Sequence, residues 1–532
     1  MTIRQRWTLI AAILGSGIVF LDSTVVNVAL PKIGGELPST LFGVLEGQSY
    51  IYNGYLLTLS ALLILAGALN DFYGRKRIFS FGLVGFLVTS LLCGLAPNME
   101  LLILFRVLQG VAGALLVPGS LALITVSFTG EAQGRAFGLW AAASAGTTIL
   151  GPVVGGILVD SISWRAAFLI NVPLLILALW ATATGVRESR DEKATGRFDW
   201  LGAFVVAVAV GGLSFGTIYG QQREWKDPLG FVMLGAGAVA TIALPFLMTR
   251  RRDPLIDPEL FRSRNFTVTN ISTFLIYGAL YVQSYFVTLF VQGAIGFTAA
   301  AAGLVSVPTG LFLVFLSARF GALAGKYGPK LFMAAGPALM GLGMLWYLRV
   351  PATTTPWLFA FDDPSTYLPP ASWFVDLLPA SLMYGLGVSM MVAPLTTALM
   401  TSVPSKHSGV ASAINNAISR VGPQLAGAVI FIAITASFYG GLHARVPQLD
   451  PNDPEVRKTY APLNVVDPCR ENVPCPRSGA AAVQAQREAS TDAFHLAMLI
   501  AAVLLAAGAA VNALGIQNRP APEQLDAARA AA

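Results

Sequence analysis

The sequence predicts an all-α polytopic membrane protein with fourteen transmembrane helices, and three observations support this fold class. The chain of 532 residues is 55% hydrophobic and only 12% charged, and its mean hydropathy is +0.66. Its apolar residues gather in runs of about 20, the length of helix that crosses a hydrocarbon core of roughly 30 Å. Its basic residues gather in alternate loops between those runs. Soluble domains carry about twice this share of charged residues, so a large soluble core is excluded.

The apolar runs fall into three groups along the chain. The first six lie near 8–30, 49–69, 78–96, 101–127, 135–159 and 165–185, two more near 199–219 and 229–248, and the last six near 267–292, 299–320, 331–350, 374–402, 408–438 and 493–516. An even number of spans places both termini on the same side of the membrane. The loops on that side hold most of the 34 Lys and Arg residues, so both termini are predicted to be cytoplasmic.

A short internal repeat divides the chain into two halves. GALNDFYGRK at 67–76 and GALAGKYGPK at 321–330 are identical at six of ten positions. Duplicated halves of six helices are common in transporters, whose sites lie between the halves. The sequence therefore predicts an N-terminal six-helix bundle at 1–190, two additional helices at 191–253, and a C-terminal six-helix bundle at 254–532. The polar, proline-rich outer loop at 439–492 is predicted to have no regular structure.

The first span carries a single charge, Asp22. A carboxylate in the bilayer core costs about 2.5–3.5 kcal/mol even on lenient insertion scales. Gly15, Ser16, Ser23 and Asn27 fall on the same side of a helix as Asp22, so this side is predicted to meet other helices or a wet cavity. A carboxylate in such a place can take up and release a proton. The alternative is an N-terminal anchor whose Asp22 hydrogen-bonds a neighbouring helix.

The fourth span presents Arg106, Gln109, Gly110 and Gly113 on one face. Arg106 lies about 8 Å below the outer end of its helix, and Asp22 about 12 Å below the outer end of its own. These similar depths predict a charge pair if the two helices are neighbours. The alternative is an arginine that extends to the outer interface.

The first cytoplasmic loop combines glycines with an acidic and a basic residue: Gly67, Asp71, Gly74 and Arg75. Glycines allow a tight turn and a close helix approach. Asp71 can accept hydrogen bonds from a helix N-terminus and pair with Arg75. A purely positive-inside anchor would explain the basic residues of this loop but not its glycines and its acid.

The fifth span is rich in glycine around a proline. Its candidate residues are Gly146, Gly151, Pro152, Gly155 and Gly156. Glycines allow two helices to approach closely, and a proline removes a backbone hydrogen bond and kinks the helix. A tightly packed, bent helix is predicted; ordinary small-residue packing would explain only some of the glycines.

A ligand cavity is predicted between the halves, because aromatic and amide side chains suit bulky amphipathic ligands. Its candidate residues are Asn27, Tyr55, Gln109, Tyr281, Gln283, Phe286, Gln292, Asn416 and Arg420. Each of these alone is also consistent with helix packing. No deep acidic residue in the second half matches Asp22.

Cysteine and histidine are scarce. Cys469 and Cys475 lie close together in the outer loop, on the oxidising side of the membrane, and are predicted to form a disulfide; two free thiols are the alternative. The three His residues are widely separated, so no metal site is predicted. No phosphate-binding loop or catalytic constellation is present, which argues against an enzyme.

The chain resembles the major facilitator superfamily, and within it the fourteen-span drug:proton antiporter branch (EmrB/QacA type). LDSTVVNVALP at 21–31 is similar to the first-helix signature of that branch, and WRAAFLINVP at 164–173 to a further hallmark. The segments 67–77, 106–113 and 146–156 resemble the loop, fourth-helix and fifth-helix motifs. The resemblance implies a major facilitator fold of two six-helix bundles plus two extra helices.

The resemblance also implies roles for single residues. Asp22 and Arg106 would take part in proton coupling, and Gly67, Asp71, Gly74 and Arg75 in a conformational switch. The antiporter motif of the fifth span, with its bend at Gly151 and Pro152, would set antiport. Two positions depart from the family pattern: Phe72 stands where a basic residue is usual, and Gly325 replaces the loop aspartate in the second copy of the decapeptide.

The expected function is a proton-coupled antiporter that exports hydrophobic or cationic small molecules. Its expected location is the cytoplasmic (inner) membrane of a bacterium. It would need no cofactor beyond the proton gradient, and its partners would be substrate, protons, the lipid bilayer and a periplasmic adaptor protein, but no nucleic acid. The alternatives are an exporter of one metabolite, such as a siderophore, an antibiotic or an amino acid, and a proton-coupled uptake symporter.

Overall fold

The computed structural model describes residues 1–40, 44–190, 198–222, 225–251, 254–360, 363–404, 407–451, 453, 456–457, 460–465 and 479–518. These residues form helices joined by loops. Within them, β pairing is limited to one isolated antiparallel bridge between Ala461 and Asn464.

Seven helices build the first part of the chain. They are α1 (Ile3–Glu36), α2 (Val44–Tyr73), α3 (Arg75–Gly94), α4 (Met99–Ser127), α5 (Gly130–Ser161), α6 (Ala166–Leu169) and α7 (Asn171–Gly185). The short α6 and α7 together form one span, Ala166–Gly185. Local chemistry defines the helix starts: Thr2 and Gln5 form a capping box at α1, and the Asn98 side chain accepts a hydrogen bond from Leu101 N–H at α4.

Nine further helices follow. They are α8 (Trp200–Gln222), α9 (Pro228–Arg250), α10 (Arg264–Leu289), α11 (Ala299–Val305), α12 (Val307–Tyr327), α13 (Lys330–Tyr347), α14 (Leu378–Thr401), α15 (Ser408–Arg445) and α16 (Gly479–Gly515). A π-helical turn, Phe290–Ile295, extends α10, and another, Trp373–Leu377, precedes α14. Short 3₁₀ turns occur at Pro258–Arg262 and Pro364–Thr366.

Twelve helices in the described part of the chain are long and apolar enough to cross a membrane, by length and composition. The sequence predicted fourteen spans. The predicted fifth and eleventh spans correspond to α5 and α13, which are helical but are not among the twelve. The shorter of the two, α13, has 18 residues and begins at Lys330.

The helices pack as two bundles with contacts between them. In the first bundle, α1 packs on α4, α5 and α7, and α2 and α3 pack on α4. In the second, α14 packs on α12 and α13, and α10 and α15 pack on α16. Across the interface, α2 packs on α15 and α5 packs on α12. Helix α8 packs on α9 and also lies against both α2 and α15.

Glycines bring the two bundles into backbone contact at the predicted cytoplasmic side. A Cβ atom on Gly67 of α2 would overlap the carbonyl oxygen of Gly409 in α15. A Cβ on Gly134 of α5 would lie 2.8 Å from the carbonyl oxygen of Gly321 in α12. Since real Cβ atoms do not approach backbone this closely, larger side chains at these points would force the bundles apart.

The outer loop at 439–492 is partly helical, which corrects the prediction of no regular structure there. Helix α15 continues to Arg445, beyond its predicted end at 438, and α16 begins at Gly479, before its predicted start at 493. Arg445 forms ion pairs with Glu488 (2.9 Å) and Asp492 (2.7 Å) of α16. These pairs hold the polar helix ends side by side. Cys469 and Cys475 lie outside the described residues.

Candidate functional site

Asp22 and Arg106 form a buried ion pair inside the first bundle. Helices α1 and α4 are neighbours, and Arg106 Nη1 lies 2.5 Å from Asp22 Oδ2, with both side chains fully buried. Arg106 Nε also donates to the carbonyl oxygen of Ile51, at 3.2 Å. Removing one partner of a buried pair typically costs 3–5 kcal/mol, because the other charge is left uncompensated.

Three polar side chains complete the surroundings of the ion pair. Asp22 Oδ1 accepts hydrogen bonds from Gln109 Nε2 (3.2 Å) and Asn171 Nδ2 (3.0 Å). Ser90 Oγ accepts from Asn171 Nδ2 at 3.0 Å and donates to the Phe168 carbonyl oxygen at 2.9 Å. Helices α1, α3, α4 and α7 therefore each supply a part. We call this set the Asp22 cluster: Asp22, Ser90, Arg106, Gln109 and Asn171.

Sequence reasoning did not assign Ser90 or Asn171 to the site. Ser90 lies on a span without any charge at that depth, and nothing in the sequence indicates which way it faces. Asn171 belongs to the segment WRAAFLINVP. The only feature of the sequence that could have indicated its role is an amide side chain at the start of an apolar helix.

Aromatic rings cover the arginine. The Arg106 guanidinium carbon lies 4.1 Å from the Tyr55 ring centroid and 5.7 Å from that of Phe168. Such contacts stabilise a desolvated cation. The Tyr55 hydroxyl donates to the Val19 carbonyl oxygen at 3.0 Å. The arrangement confines the Arg106 side chain to one position.

The structure separates the predicted cavity residues into two groups. Tyr55 and Gln109 are fully buried in or against the Asp22 cluster, and Gln283 and Phe286 are buried in the second bundle. All four are buried in this conformation, so their predicted place on a cavity surface stays a prediction. The others keep accessible surface: Asn27, Tyr281, Gln292, Asn416 and Arg420. Gln292 lies in the π-helical turn after α10, at the end of its span.

The predicted switch residues meet the second bundle. Asp71 Oδ1 accepts hydrogen bonds from Arg75 Nη2 (2.7 Å) and Arg75 Nε (3.1 Å). Asp71 Oδ2 accepts from the backbone N–H of Val410, at 3.0 Å, in the first turn of α15. A carboxylate is favourable at a helix N-terminus, where unpaired N–H groups point outward. Asp71 therefore links the two bundles.

The second copy of the decapeptide occupies the equivalent place at α5. A Cβ on Gly325 would lie 3.6 Å from the Glu131 Cα atom in the first turn of α5. Because residue 325 is glycine, no carboxylate reaches that helix start from this position.

Glu188 is a further polar contact that the sequence did not indicate. Its carboxylate accepts hydrogen bonds from the backbone N–H groups of Lys76 (3.0 Å) and Arg77 (3.1 Å), at the start of α3. The Arg75 N–H donates to the Ser189 carbonyl oxygen at 2.9 Å. Gly74, with φ +107°, makes the sharp turn that this arrangement needs. The segment after α7 thus holds the switch loop in place.

The glycines of the fifth span differ in their contacts. A Cβ on Gly151 would overlap the Thr24 side chain, and one on Gly155 would lie 3.1 Å from Val25 Cα, so both allow α5 to approach α1. Gly146 has only Val314 nearby, at 3.9 Å, and Gly156 has no atom within 4 Å. Close packing of α5 on α1 therefore needs Gly151 and Gly155, and Gly156 takes no part in it. The side chain of Pro152 lies outside the described part, and its predicted kink stays a prediction.

A neutral polar group joins α10 and α15 in the second bundle. Asn415 Nδ2 donates to Asn270 Oδ1 (3.2 Å) and Thr273 Oγ1 (2.7 Å). Cys93 is buried with a free thiol. Among the described residues, no three His, Cys, Asp or Glu side chains lie together as a metal site requires.

The chain is similar to known proteins over most of its length. A family model described as Major Facilitator Superfamily matches residues 12–428. The multidrug resistance protein Stp of Mycobacterium tuberculosis (strain CDC 1551 / Oshkosh) is 33% identical, over 86% of this chain and 81% of that protein. The tetracenomycin C resistance and export protein of Streptomyces glaucescens is 30% identical, over 87% of this chain and 82% of that protein. The methylenomycin A resistance protein of Bacillus subtilis (strain 168) is 30% identical, over 81% of this chain and 89% of that protein.

Two solved structures have a similar fold. The human organic anion transporter MFSD10 (TETRAN) matches with a TM-score of 0.57 and 12% identity, over 95% of this chain and 100% of that chain. A double-tryptophan variant of XylE matches with a TM-score of 0.57 and 13% identity, over 98% of each chain. At these identities the match concerns the fold alone.

Proposed function

The chain belongs to the major facilitator superfamily, and on this premise we propose that it is a drug efflux transporter driven by inward proton movement. Relatives that share about a third of their residues with it are named for multidrug resistance, antibiotic resistance or antibiotic export. These names support efflux of small molecules. The superfamily moves its substrates by alternating access, with the site between two bundles.

The Asp22 cluster is the observation that carries proton coupling. An ionised carboxylate this deep is stable only with the donors described above, and a proton on Asp22 removes the charge that holds Arg106. Protonation would therefore loosen α1 from α4 and α7 at one point. Helix α5 packs on α1 at Thr24 and Val25, within one turn of Asp22. A movement of α1 at Asp22 would therefore also move its contact with α5.

The contact between Asp71 and α15 is the proposed switch. It holds the two bundles together at the side predicted to be cytoplasmic, and it must break when the cavity opens to that side. Each transport cycle would break and remake it.

The proposed arrangement in the membrane has fourteen spans. It adds α5 and α13 to the twelve helices that meet the length and composition criteria, because each packs along the other spans of its bundle. Helices α8 and α9 would lie beside the two six-helix bundles. We place the protein in the cytoplasmic membrane of a bacterium with both termini inside; a periplasmic adaptor is a further proposed partner.

Reconstituted vesicles containing a pH-sensitive dye test the proposal. Wild-type protein is expected to move protons inward when substrate moves outward. Asp22→Asn keeps the size of the side chain and one acceptor oxygen but cannot titrate, so it is expected to insert normally and lose at least tenfold in proton-driven export. Glu259→Gln, at a carboxylate that is 74% exposed before α10, is the matched control. Export by Asp22→Asn at the wild-type rate against an imposed pH gradient would disprove the coupling role.

A further inference from the structure

Arg420 is a cation on α15, at the interface between the bundles. It lies about 18 Å along α15 from Ser408, close to the middle of a bilayer core of roughly 30 Å. The side chain is partly exposed. Helix α15 packs on α2 of the first bundle, and Tyr52 and Tyr55 of α2 are within electrostatic range of the Arg420 guanidinium. Among the described residues it has no hydrogen-bond or ion-pair partner.

Among the side chains that the structure describes, no carboxylate pairs with Arg420 to balance its charge. Neither α10 nor α15 contains Asp or Glu. In α2, Asp71 pairs with Arg75 at 2.7 Å. In α1, Asp22 is fully buried and pairs with Arg106. An unbalanced guanidinium is costly at this depth, and residues that bear such a cost in membrane proteins commonly contact substrates or ions.

Tyrosine side chains from both bundles surround the space that Arg420 faces. Tyr281 lies against Gly427, two turns beyond Arg420 on the same face of α15. It also interacts with Tyr52 across the interface. The Tyr281 and Tyr285 rings stack with centroids 5.5 Å apart, and both side chains are more than a third exposed. The space therefore offers aromatic faces, phenol donors and one cation.

We propose that this space binds an amphipathic organic anion, whose acidic group sits on Arg420 and whose aromatic body lies against Tyr281 and Tyr285. The acidic group would be a carboxylate, a sulfonate or an ionised phenol, since guanidinium and phenol groups both donate hydrogen bonds. The inference rests on the proposed efflux function and names the substrate class of the same site. It adds an anionic class to the hydrophobic or cationic compounds expected from the sequence.

Outward movement of an anion also has an electrical consequence. The inside of an energised bacterial cell is negative, so the membrane potential itself favours the outward step. Export of such a substrate would then respond to the potential as well as to the pH gradient.

Two dyes with the same ring system test the substrate class. Fluorescein is anionic at pH 7.5, whereas rhodamine 123 is a cationic methyl ester. Fluorescence anisotropy with purified protein in nanodiscs of uncharged lipid measures the binding of each dye. Wild-type protein is expected to bind fluorescein more tightly than rhodamine 123. Arg420→Gln is expected to weaken fluorescein binding at least tenfold and to change rhodamine 123 binding less than twofold.

Two further variants sharpen the test. Arg420→Lys keeps the charge but not the fork of donors, so it is expected to weaken fluorescein binding less than Arg420→Gln does. Arg319→Gln, at an exposed arginine of α12, is the matched control and is expected to bind fluorescein as wild type does. Unchanged fluorescein binding in Arg420→Gln, or tighter wild-type binding of rhodamine 123, would overturn the inference.

The inference and the proposed function fail separately. If wild-type protein binds fluorescein through Arg420 but moves no dye in energised vesicles, the efflux proposal is wrong and the anion site remains. If the vesicles export dye and Arg420→Gln exports fluorescein like wild type, the anion site is wrong and efflux remains. Asp22→Asn is expected to bind fluorescein at least as tightly as wild type, because Arg106 is then uncompensated, while losing proton-driven export.

Discussion

At the scale of residues, the main feature is the buried carboxylate of Asp22, which accepts hydrogen bonds from several side chains. Arg106, Gln109 and Asn171 all donate hydrogen bonds to the carboxylate of Asp22. The similar depths of Asp22 and Arg106 along their helices predicted that the two would pair if α1 and α4 are neighbours, and these helices are neighbours in the structure. The roles of Ser90 and Asn171 could not be predicted, because the rotation of α3 and α7 about their axes is set by packing that the sequence does not display.

Asn171→Ala tests whether the amide positions Asp22. A hydrogen bond to a charged group is worth about 1.5–3 kcal/mol, so export is expected to fall roughly tenfold. The pH profile of export is also expected to change, because Asn171 donates directly to the Asp22 carboxylate. Initial export rates between pH 5.5 and 8.5 in vesicles measure both effects.

Two variants serve as comparisons for Asn171→Ala. Asn265→Ala removes a surface amide that bonds the Gln517 carbonyl oxygen, and it is expected to leave the profile unchanged. Asn171→Asp replaces the donor by a second carboxylate beside Asp22 and is expected to be inactive. A fall in rate without any pH shift would indicate that Asn171 has only a structural role.

At the scale of helices, hydropathy predicted positions well and ends less well. The apolar parts of α15 and α16 were predicted, but their polar ends were not, since those ends are stabilised by Arg445, Glu488 and Asp492 rather than by burial in lipid. The two ends lie far apart in the sequence, on either side of the outer loop. Only their meeting in the fold makes these charges favourable.

The contact between α1 and α5 supports a test with an internal control. Gly151→Leu places a large side chain against Thr24 and is expected to abolish exchange with normal membrane insertion. Gly156→Leu adds the same side chain where no atom lies within 4 Å, and is expected to retain at least half of the activity. Substrate-evoked proton flux, normalised to protein in the membrane, measures both. If both variants lost the same share of proton flux, the close approach of α5 to α1 would not explain the effect of Gly151→Leu.

At the scale of the whole molecule, the sequence predicted two halves but not how they touch. The repeated decapeptide indicated duplication, and the structure adds that Asp71 of one half contacts the start of α15 in the other. Such contacts depend on which conformation the protein adopts, so a pattern within one half cannot reveal them. The pairing of Cys469 with Cys475 lies outside the described residues and stays a prediction.

Asp71→Asn is expected to shift the molecule toward a form open at the predicted cytoplasmic side. The change weakens both the Arg75 ion pair and the hydrogen bond to α15. Ser408 is fully buried in the closed contact, so a cysteine reporter of similar size, Ser408→Cys, should react several-fold faster with a thiol reagent in the Asp71→Asn background. Asp227→Asn, next to α9, is the control. Unchanged reactivity of the reporter would show that Asp71 does not hold this contact.

The difference between Asp71 and Gly325 makes the two edges of the interface mechanically unequal. The α2–α15 edge has a charged contact, and α8 lies against it from outside. Among the described residues, the α5–α12 edge has backbone contacts at Gly134 and Gly321 and no ion pair. We therefore expect α5 and α12 to part first, before the contact between Asp71 and α15 breaks. A compound dissolved in the inner leaflet would then enter sideways, through a portal between α5 and α12, without passing through the cytoplasm.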